Sequence, residues 1–145
     1  KKDKNKIEPL AEEICKFMKT RLVTKWLSTI IPVPPSDTER EFQPVIEIAK
    51  SIGEKLKIDV CNDCVLKTKK TSFMKNMTIE EREKILNGIF EVKSNLIKNK
   101  KVLLFDDIFQ TGSTLKEITK VLYSKGQVGN VYVLTVTKTT TKSNN

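Results

Sequence analysis

The stretch of sequence that decides the fold is VLLFDDIFQTGSTL, residues 102–115. Its first four residues are apolar, which is typical of a strand buried on both faces of a sheet. Two adjacent aspartates stand at the C-terminal end of this strand, and a helical pattern begins at Leu115 after a short loop. Open α/β folds bind ligands at the C-terminal edge of a parallel sheet, so this stretch predicts a ligand site.

The chemistry of the stretch suits a sugar phosphate. A helix N-terminus presents unpaired N–H groups and a partial positive charge, and both favour a phosphate. Residues 111–114 add one glycine, which lets the backbone approach closely, and three hydroxyl groups. Asp106 and Asp107 would repel a phosphate but accept hydrogen bonds from sugar hydroxyls, so a ribose 5-phosphate fits both ends. The alternative is a buried strand running into an ordinary capped helix, with the two acids as turn formers.

The stretch resembles the phosphoribosyl diphosphate (PRPP) motif of type I phosphoribosyltransferases. That motif is an apolar strand, two acids, a few variable residues and Thr-Gly-x-Thr, which stands here at residues 111–114. The order of parts along 28–137 is similar to the ComF-like branch of the family. Residues 31–34 correspond to a strand ending in Pro-x-Pro, and residues 40–43 contain an Arg before an aromatic residue. Residues 67–71 correspond to a basic loop, and residues 88–90 to Gly-x-Phe.

The resemblance implies an α/β, type I phosphoribosyltransferase-like fold: a mostly parallel central sheet flanked by helices, with a small hood and a mobile loop. It implies that ribose 5-phosphate is bound by Asp106, Asp107, Gln110, Thr111, Gly112, Ser113 and Thr114, the two aspartates being the catalytic candidates. It offers as candidates for diphosphate binding Pro34, Pro35, Ser36, Arg40, Lys67, Lys69 and Lys70. Alternatives are a surface ion pair for Arg40 and a solvated charged run for the lysines.

The reaction implied is Mg²⁺-dependent pentosyl transfer, in which a nitrogenous acceptor displaces diphosphate from PRPP. The resemblance implies Mg²⁺ held through substrate and water, with Asp106 and Asp107 as further candidate ligands. The expected partners are PRPP or a nucleotide monophosphate, and a homodimer is left open. Two other functions remain open: a non-catalytic nucleic-acid-binding or competence-associated module, and a regulator that senses PRPP.

The composition of the chain limits which functions are possible. The 145 residues suit one domain, and the net charge of +9 favours anionic partners, whether a polyphosphate ligand or nucleic acid. The chain contains no histidine, which excludes a Ser-His-Asp or Cys-His mechanism and a histidine-ligated metal. The apolar runs are too short for a membrane span. Three cysteines without an export signal predict a cytoplasmic protein, with Cys61 and Cys64 as two thiols at a strand end.

Periodicity and turn signals predict the elements along the chain. Residues 1–6 and 138–145 are predicted to be mobile tails, and residues 66–77 a long basic loop that acts as a lid, with Phe73 or Met74 latching onto the hood. Thr78 and Glu81 form a capping-box pattern at a helix start. The predicted helices cover 9–25, 42–56, the segment after 78 and the segment after 115, and the predicted strands cover 28–33, 58–61, 90–92, 102–105 and 131–136.

Overall fold

The computed structural model describes residues 4–71, 74, 76–93 and 95–139. The helices are α1 (Lys4–Lys19), α2 (Pro44–Leu56), α3 (Ile79–Leu86) and α4 (Ser113–Ser124), with short 3-10 helices at Leu22–Trp26 and Asn95–Ile97. The strands are β1 (Thr29–Pro32), β2 (Asp59–Val60), β3 (Val65–Lys67), β4 (Phe90–Val92), β5 (Lys101–Phe109) and β6 (Asn130–Lys138). Among the described residues, no helix combines the length and the apolar character needed to cross a membrane.

Within the described chain, a parallel sheet is formed in the order β2-β1-β5-β6. The central strand β5 pairs with β1 on one side and with β6 on the other. The first half of β5 therefore has a hydrogen-bonded strand on each side. Parallel strands need crossover connections, and α2 and α4 provide them between β1 and β2 and between β5 and β6. The predicted mostly parallel α/β sheet is therefore confirmed.

The sheet is buried on both faces, as the apolar run in β5 predicts. Leu103 and Phe105 pack with Ile30 into one core, to which α1 and α2 contribute residues such as Ala11 and Ile52. The alternate residues of β5 point the other way, into a second core that is completed by α3, α4, β3 and β4. Because both faces of β5 are buried, its C-terminal end is the part of the strand that can contact a ligand.

A smaller antiparallel pair, β3 and β4, lies beside the second core. The chain between these strands contains α3, whose N-terminus is closed by the predicted capping box of Thr78 and Glu81. Side chains hold α3 against α4, since Lys116 pairs with Glu83 at 2.6 Å and Lys120 donates to Asn87 at 3.3 Å. This packed segment forms one wall above the end of the sheet.

The structure corrects several predicted boundaries at the start of the chain. Helix α1 begins at Lys4, so a tail over 1–6 is wrong for residues 4–6, and residues 1–3 lie outside the described chain. The helix starts early because Ile7 packs against the core that α1 shares with α2. It ends at Lys19 instead of near Lys25, and a 3-10 helix follows.

Two further corrections concern strands around the predicted site. β5 continues through the acidic pair to Phe109, because its second half pairs with β6 up to Lys138. Lys138 is therefore part of a strand and not of a tail, while residues 140–145 lie outside the described chain. The segment 66–77 is also not all loop, since Leu66 and Lys67 belong to β3. Residues 72, 73 and 75, including the predicted Phe73 latch, lie outside the described chain.

The pair Cys61 and Cys64 is joined in a disulfide, with Cα atoms 5.5 Å apart, so the prediction of two thiols is wrong. The bridge follows β2 and precedes β3, and the turn between the strands brings the two residues close enough to bond. Cys64 is fully buried in the second core. The disulfide therefore ties the edge of the parallel sheet to the start of the antiparallel pair.

Candidate active site

A cleft of about 750 Å³ lies at the C-terminal edge of the sheet. Its walls come from the loop after β1, the start of α2, the end of β5, the start of α4, and the segment from β3 to β4. The predicted site residues that line it are Pro34, Pro35, Ser36, Arg40, Lys67, Asp106, Asp107, Gln110, Thr111, Gly112, Ser113 and Thr114. The cleft thus brings together most of the residues singled out from sequence, from segments far apart in the chain.

The acidic pair lies in the last part of β5, where the strand projects beyond β1. The backbone N–H of Asp107 donates to Oδ1 of Asp106 at 2.9 Å, and the Thr137 hydroxyl donates to the Asp107 carbonyl at 3.1 Å. Burial, reinforced by the neighbouring Asp107 carboxyl, raises the pKa of Asp106 to about 7. One carboxyl of the pair therefore changes charge near neutral pH.

The loop after β5 forms a turn that ends at the N-terminus of α4. Gly112 has φ 77° and ψ 1°, a left-handed conformation that glycine adopts without steric cost, and it is the residue just before the helix. The hydroxyls of Thr111 and Ser113 are 3.0 Å apart, and Ser113 is buried. Backbone N–H groups of a first helical turn, flanked by hydroxyls, are suited to an anion.

The loop after β1 faces this turn across the cleft. It contains Pro34, Pro35 and Ser36, and the Val33 N–H still donates to the Phe105 carbonyl at 2.8 Å, which fixes where the loop leaves the sheet. The Gln43 amide donates to the backbone carbonyls of residues 37 and 40, at 2.7 and 2.8 Å. These bonds hold the loop in place and leave the Arg40 side chain exposed at the mouth of the cleft.

The three predicted lysines differ in position. Lys67 lines the cleft, donates to the Thr71 hydroxyl at 2.7 Å, and has its pKa lowered by burial. Lys70 instead pairs with Glu39 at 2.9 Å on the surface, and both side chains are exposed. Lys69 is also exposed and does not line the cleft. Of the three candidates, only Lys67 is placed to meet a ligand in this cleft.

Sequence reasoning missed Arg82, which lines the cleft although the residue is only 8% exposed. It stands on α3, where its Nε donates to the Met77 carbonyl at 3.2 Å and its Nη1 donates to Oε1 of Gln110 at 3.4 Å. In the sequence it stands within the run EEREK, as one cation among charged neighbours. The one available signal was its spacing of four residues from the apolar Leu86, which places both on the same helix face.

The cleft offers oxygen ligands to a metal ion. In the described part of the chain, no group of three or more His, Cys, Asp or Glu residues is placed to hold a metal ion. The two aspartates are the carboxylates among the described residues that line the cleft. Mg²⁺ commonly takes one or two protein carboxylates and completes its shell with water and substrate phosphates, so these residues fit it.

Solved structures with the same architecture decide the fold. The chain is similar to a hypoxanthine phosphoribosyltransferase from Staphylococcus aureus, with a TM-score of 0.55 and 16% identity, over 94% of this chain and 74% of that one. It is also similar to the hypoxanthine phosphoribosyl transferase of Trypanosoma cruzi, with a TM-score of 0.54 and 13% identity, over 96% and 74%. The chain has the type I phosphoribosyltransferase fold.

The chain is also similar to part of the UMP synthase of Leishmania donovani, with a TM-score of 0.51 and 16% identity. The match covers 91% of this chain and 27% of that one. Competence protein F of Haemophilus influenzae is 30% identical over 102 residues, 67% of this chain, which supports the ComF-like assignment. The chain spans 44% of the length of that curated relative. No protein-family model matches the sequence.

Proposed function

We propose that this protein binds PRPP and transfers its phosphoribosyl group to a nitrogenous acceptor, releasing diphosphate. The observation that carries the proposal is the shared cleft, in which the acidic pair of β5 and the turn at Gly112 lie beside the cationic groups of Arg40 and Lys67. The acidic pair matches the ribose hydroxyls of PRPP, the turn matches its 5-phosphate, and the cations match its diphosphate. The phosphoribosyltransferase fold supports this assignment.

In this reaction the acceptor nitrogen forms a bond to C1 of the ribose while the bond from C1 to the diphosphate oxygen breaks. The diphosphate leaves with the electron pair, and the acceptor nitrogen loses a proton. No protein nucleophile is required, which suits a chain without histidine. The protein contributes position and electrostatic stabilisation: the carboxylates of Asp106 and Asp107 hold the ribose hydroxyls and offset positive charge that develops on the sugar.

The diphosphate end is assigned to the loop over residues 34–36, Arg40 and Lys67. When bound, Mg²⁺ would neutralise part of the diphosphate charge, and Asp106 and Asp107 are the residues placed to hold it. The Lys67 ammonium is partly buried, so its interaction with a phosphate oxygen is screened less than that of a surface lysine. We therefore assign the diphosphate to Lys67 and not to Lys69 or Lys70.

A second candidate, binding of single-stranded nucleic acid, is favoured by one observation at the opposite edge of the sheet. Trp26 is 58% exposed, and Lys101 at the start of β5 places its Nζ 5.1 Å from the centre of the indole ring. Lys98 and Lys100 come just before this strand. An exposed aromatic ring among lysines is a surface on which a base stacks while the cations meet phosphates.

One pair of titrations tests both candidates. PRPP is titrated calorimetrically with and without Mg²⁺, and a thymidine oligonucleotide is titrated while the fluorescence of Trp26, the single tryptophan of the chain, is followed. Saturable binding of PRPP that is tighter with Mg²⁺ supports the phosphoribosyltransferase. Absence of PRPP binding together with quenching by the oligonucleotide would replace it with the nucleic-acid candidate.

Turnover is tested separately, because a phosphoribosyltransferase fold can bind its ligand without catalysis. Release of diphosphate from Mg·PRPP is followed by phosphorus NMR in the presence of purine and pyrimidine bases and small amines. Acceptor-dependent release would establish transfer. Binding without release for every acceptor would instead favour a regulator that senses PRPP.

A further inference from the structure

Arg82 connects two parts of the cleft that are distant in sequence. Its Nε donates to the Met77 carbonyl just before α3, and its Nη1 donates to the side chain of Gln110, which directly precedes the turn at residues 111–114. The residue is 8% exposed yet lines the cleft. A guanidinium is therefore held beside the turn that the proposed function assigns to the 5-phosphate.

Polar contacts join the helix that carries Arg82, and the chain just after it, to α4. Lys116 of α4 pairs with Glu83 at 2.6 Å, and the backbone N–H of Gly88 donates to Glu117 at 3.3 Å. The capping box fixes the other end of α3. Because the turn runs into the N-terminus of α4, the contacts of α3 with α4 place Arg82 and the turn side by side.

The electrostatics of the cleft favour an anion at this point. The Arg82 guanidinium keeps its positive charge at any pH at which the protein is folded, and it lines the cleft beside the turn. The contact from Arg82 to Gln110 is 3.4 Å long, beyond the usual range for a strong hydrogen bond, and it brings the guanidinium next to the residue that precedes the turn. Arginine also matches phosphate geometry with a planar fork of donors, which gives specificity as well as energy.

We infer that Arg82 is a phosphate-binding residue of this cleft, which contacts the 5-phosphate held at residues 111–114 and joins α3 to that turn when the ligand is bound. This inference rests on the proposed function and adds to it a residue from outside the motif. It also gives α3 a role in recognising the ligand, because the guanidinium reaches the cleft from that helix.

The test compares two ligands that each carry one half of PRPP. Ribose 5-phosphate and Mg-diphosphate are titrated calorimetrically into the wild type, Arg82→Met, Arg82→Lys and Lys84→Met, the last being an exposed cation on the same helix. We expect Arg82→Met to weaken ribose 5-phosphate about 10- to 100-fold, in line with loss of charged hydrogen bonds. Arg82→Lys should recover part of that loss, while diphosphate binding and Lys84→Met stay within about twofold.

Three outcomes overturn the inference. Unchanged ribose 5-phosphate binding in Arg82→Met would show that the guanidinium contacts protein groups and not the ligand. Equal losses for both ligands, without recovery in Arg82→Lys, would show a structural role. If the wild type binds neither ribose 5-phosphate nor PRPP, the proposed function itself fails. Circular dichroism checks folding, and Arg82→Gln, which keeps polarity and removes the charge, carries the same comparison if Arg82→Met does not fold.

Discussion

The aromatic ring of Phe109 packs against the backbone of Gly112, so closely that a Cβ atom at position 112 would lie 2.9 Å from the ring Cε2. Gly112 also has a φ of +77°, which side chains rarely adopt. Two separate constraints therefore require glycine here: the turn conformation and the supporting ring. Phe109 is the last residue of β5, so the end of this strand supports the turn that leads into α4.

Replacing Gly112 by alanine should destabilise the protein more than the same change at Gly88. Gly88 has a similar φ of +74°, but a Cβ there would meet nothing within 4 Å. We expect Gly88→Ala to lower the free energy of unfolding by about 1 kcal/mol from backbone conformation alone. Gly112→Ala should cost about 2–3 kcal/mol, because overpacking against the ring is added. Urea unfolding measures both, and equal losses would show that the Phe109 ring moves aside freely.

Lys67 and Lys70 provide a variant and its control for testing the proposed diphosphate site. Lys67 is half-buried in the cleft, whereas Lys70 is exposed and paired with Glu39. We expect Lys67→Met to weaken Mg·PRPP by about 1.5–3 kcal/mol, the value of a hydrogen bond to a charged group, and to leave ribose 5-phosphate binding unchanged. Lys70→Met should change neither affinity. Calorimetric titration decides, and equal effects of the two substitutions would assign the lysines to a solvated surface.

The raised pKa of Asp106 predicts a dependence of stability on pH. The folded protein holds a proton on Asp106 up to about pH 7, whereas an unfolded aspartate loses it near pH 3.9. The free energy of unfolding contributed by this group therefore falls as pH rises from about 4 to 7, and stays low above that range. One pKa unit corresponds to about 1.4 kcal/mol, but Asp106 remains partly exposed, so we expect about 1–3 kcal/mol.

Asp106→Asn removes this titration. The variant should be more stable than the wild type at about pH 8, and the difference should shrink toward about pH 4.5, where the wild-type carboxyl is protonated. Asp59→Asn, at an exposed position of β2, serves as the control for replacing an aspartate outside the cleft. Urea unfolding at both pH values measures the difference, and a gap that stays constant with pH would contradict the raised pKa.

The stretch around the acidic pair could be predicted because each of its signals is local. The apolar run of β5, the glycine before α4 and the capping box of α3 each determine their own segment, and the structure confirms them. The end of β5 was misjudged because its last residues are held by pairing with β6, which lies more than twenty residues away. Long-range pairing of this kind leaves no mark on local periodicity.

Arg82 and Lys67 show the same limit at the candidate site. Nothing in the run EEREK distinguishes a buried guanidinium from a surface charge, because its burial depends on α3 packing against α4. Lys67 and Lys70 have the same side chain. They differ in position because Lys67 belongs to β3 and lies in the cleft, whereas Lys70 follows that strand and lies on the surface. Sequence thus predicts a candidate binding motif, while tertiary packing decides which cations line the cleft around it.

The most direct test of the account is calorimetric titration of Mg·PRPP into the wild type, the double variant Asp106→Asn/Asp107→Asn, and the control Asp59→Asn. The account predicts saturable binding to the wild type and to the control. In the double variant it predicts a loss of about 2–4 kcal/mol, since each charge-assisted hydrogen bond to the ribose is worth about 1.5–3 kcal/mol and the amides retain part of it. Unchanged affinity in the double variant would remove the acidic pair from the site and contradict the proposed function.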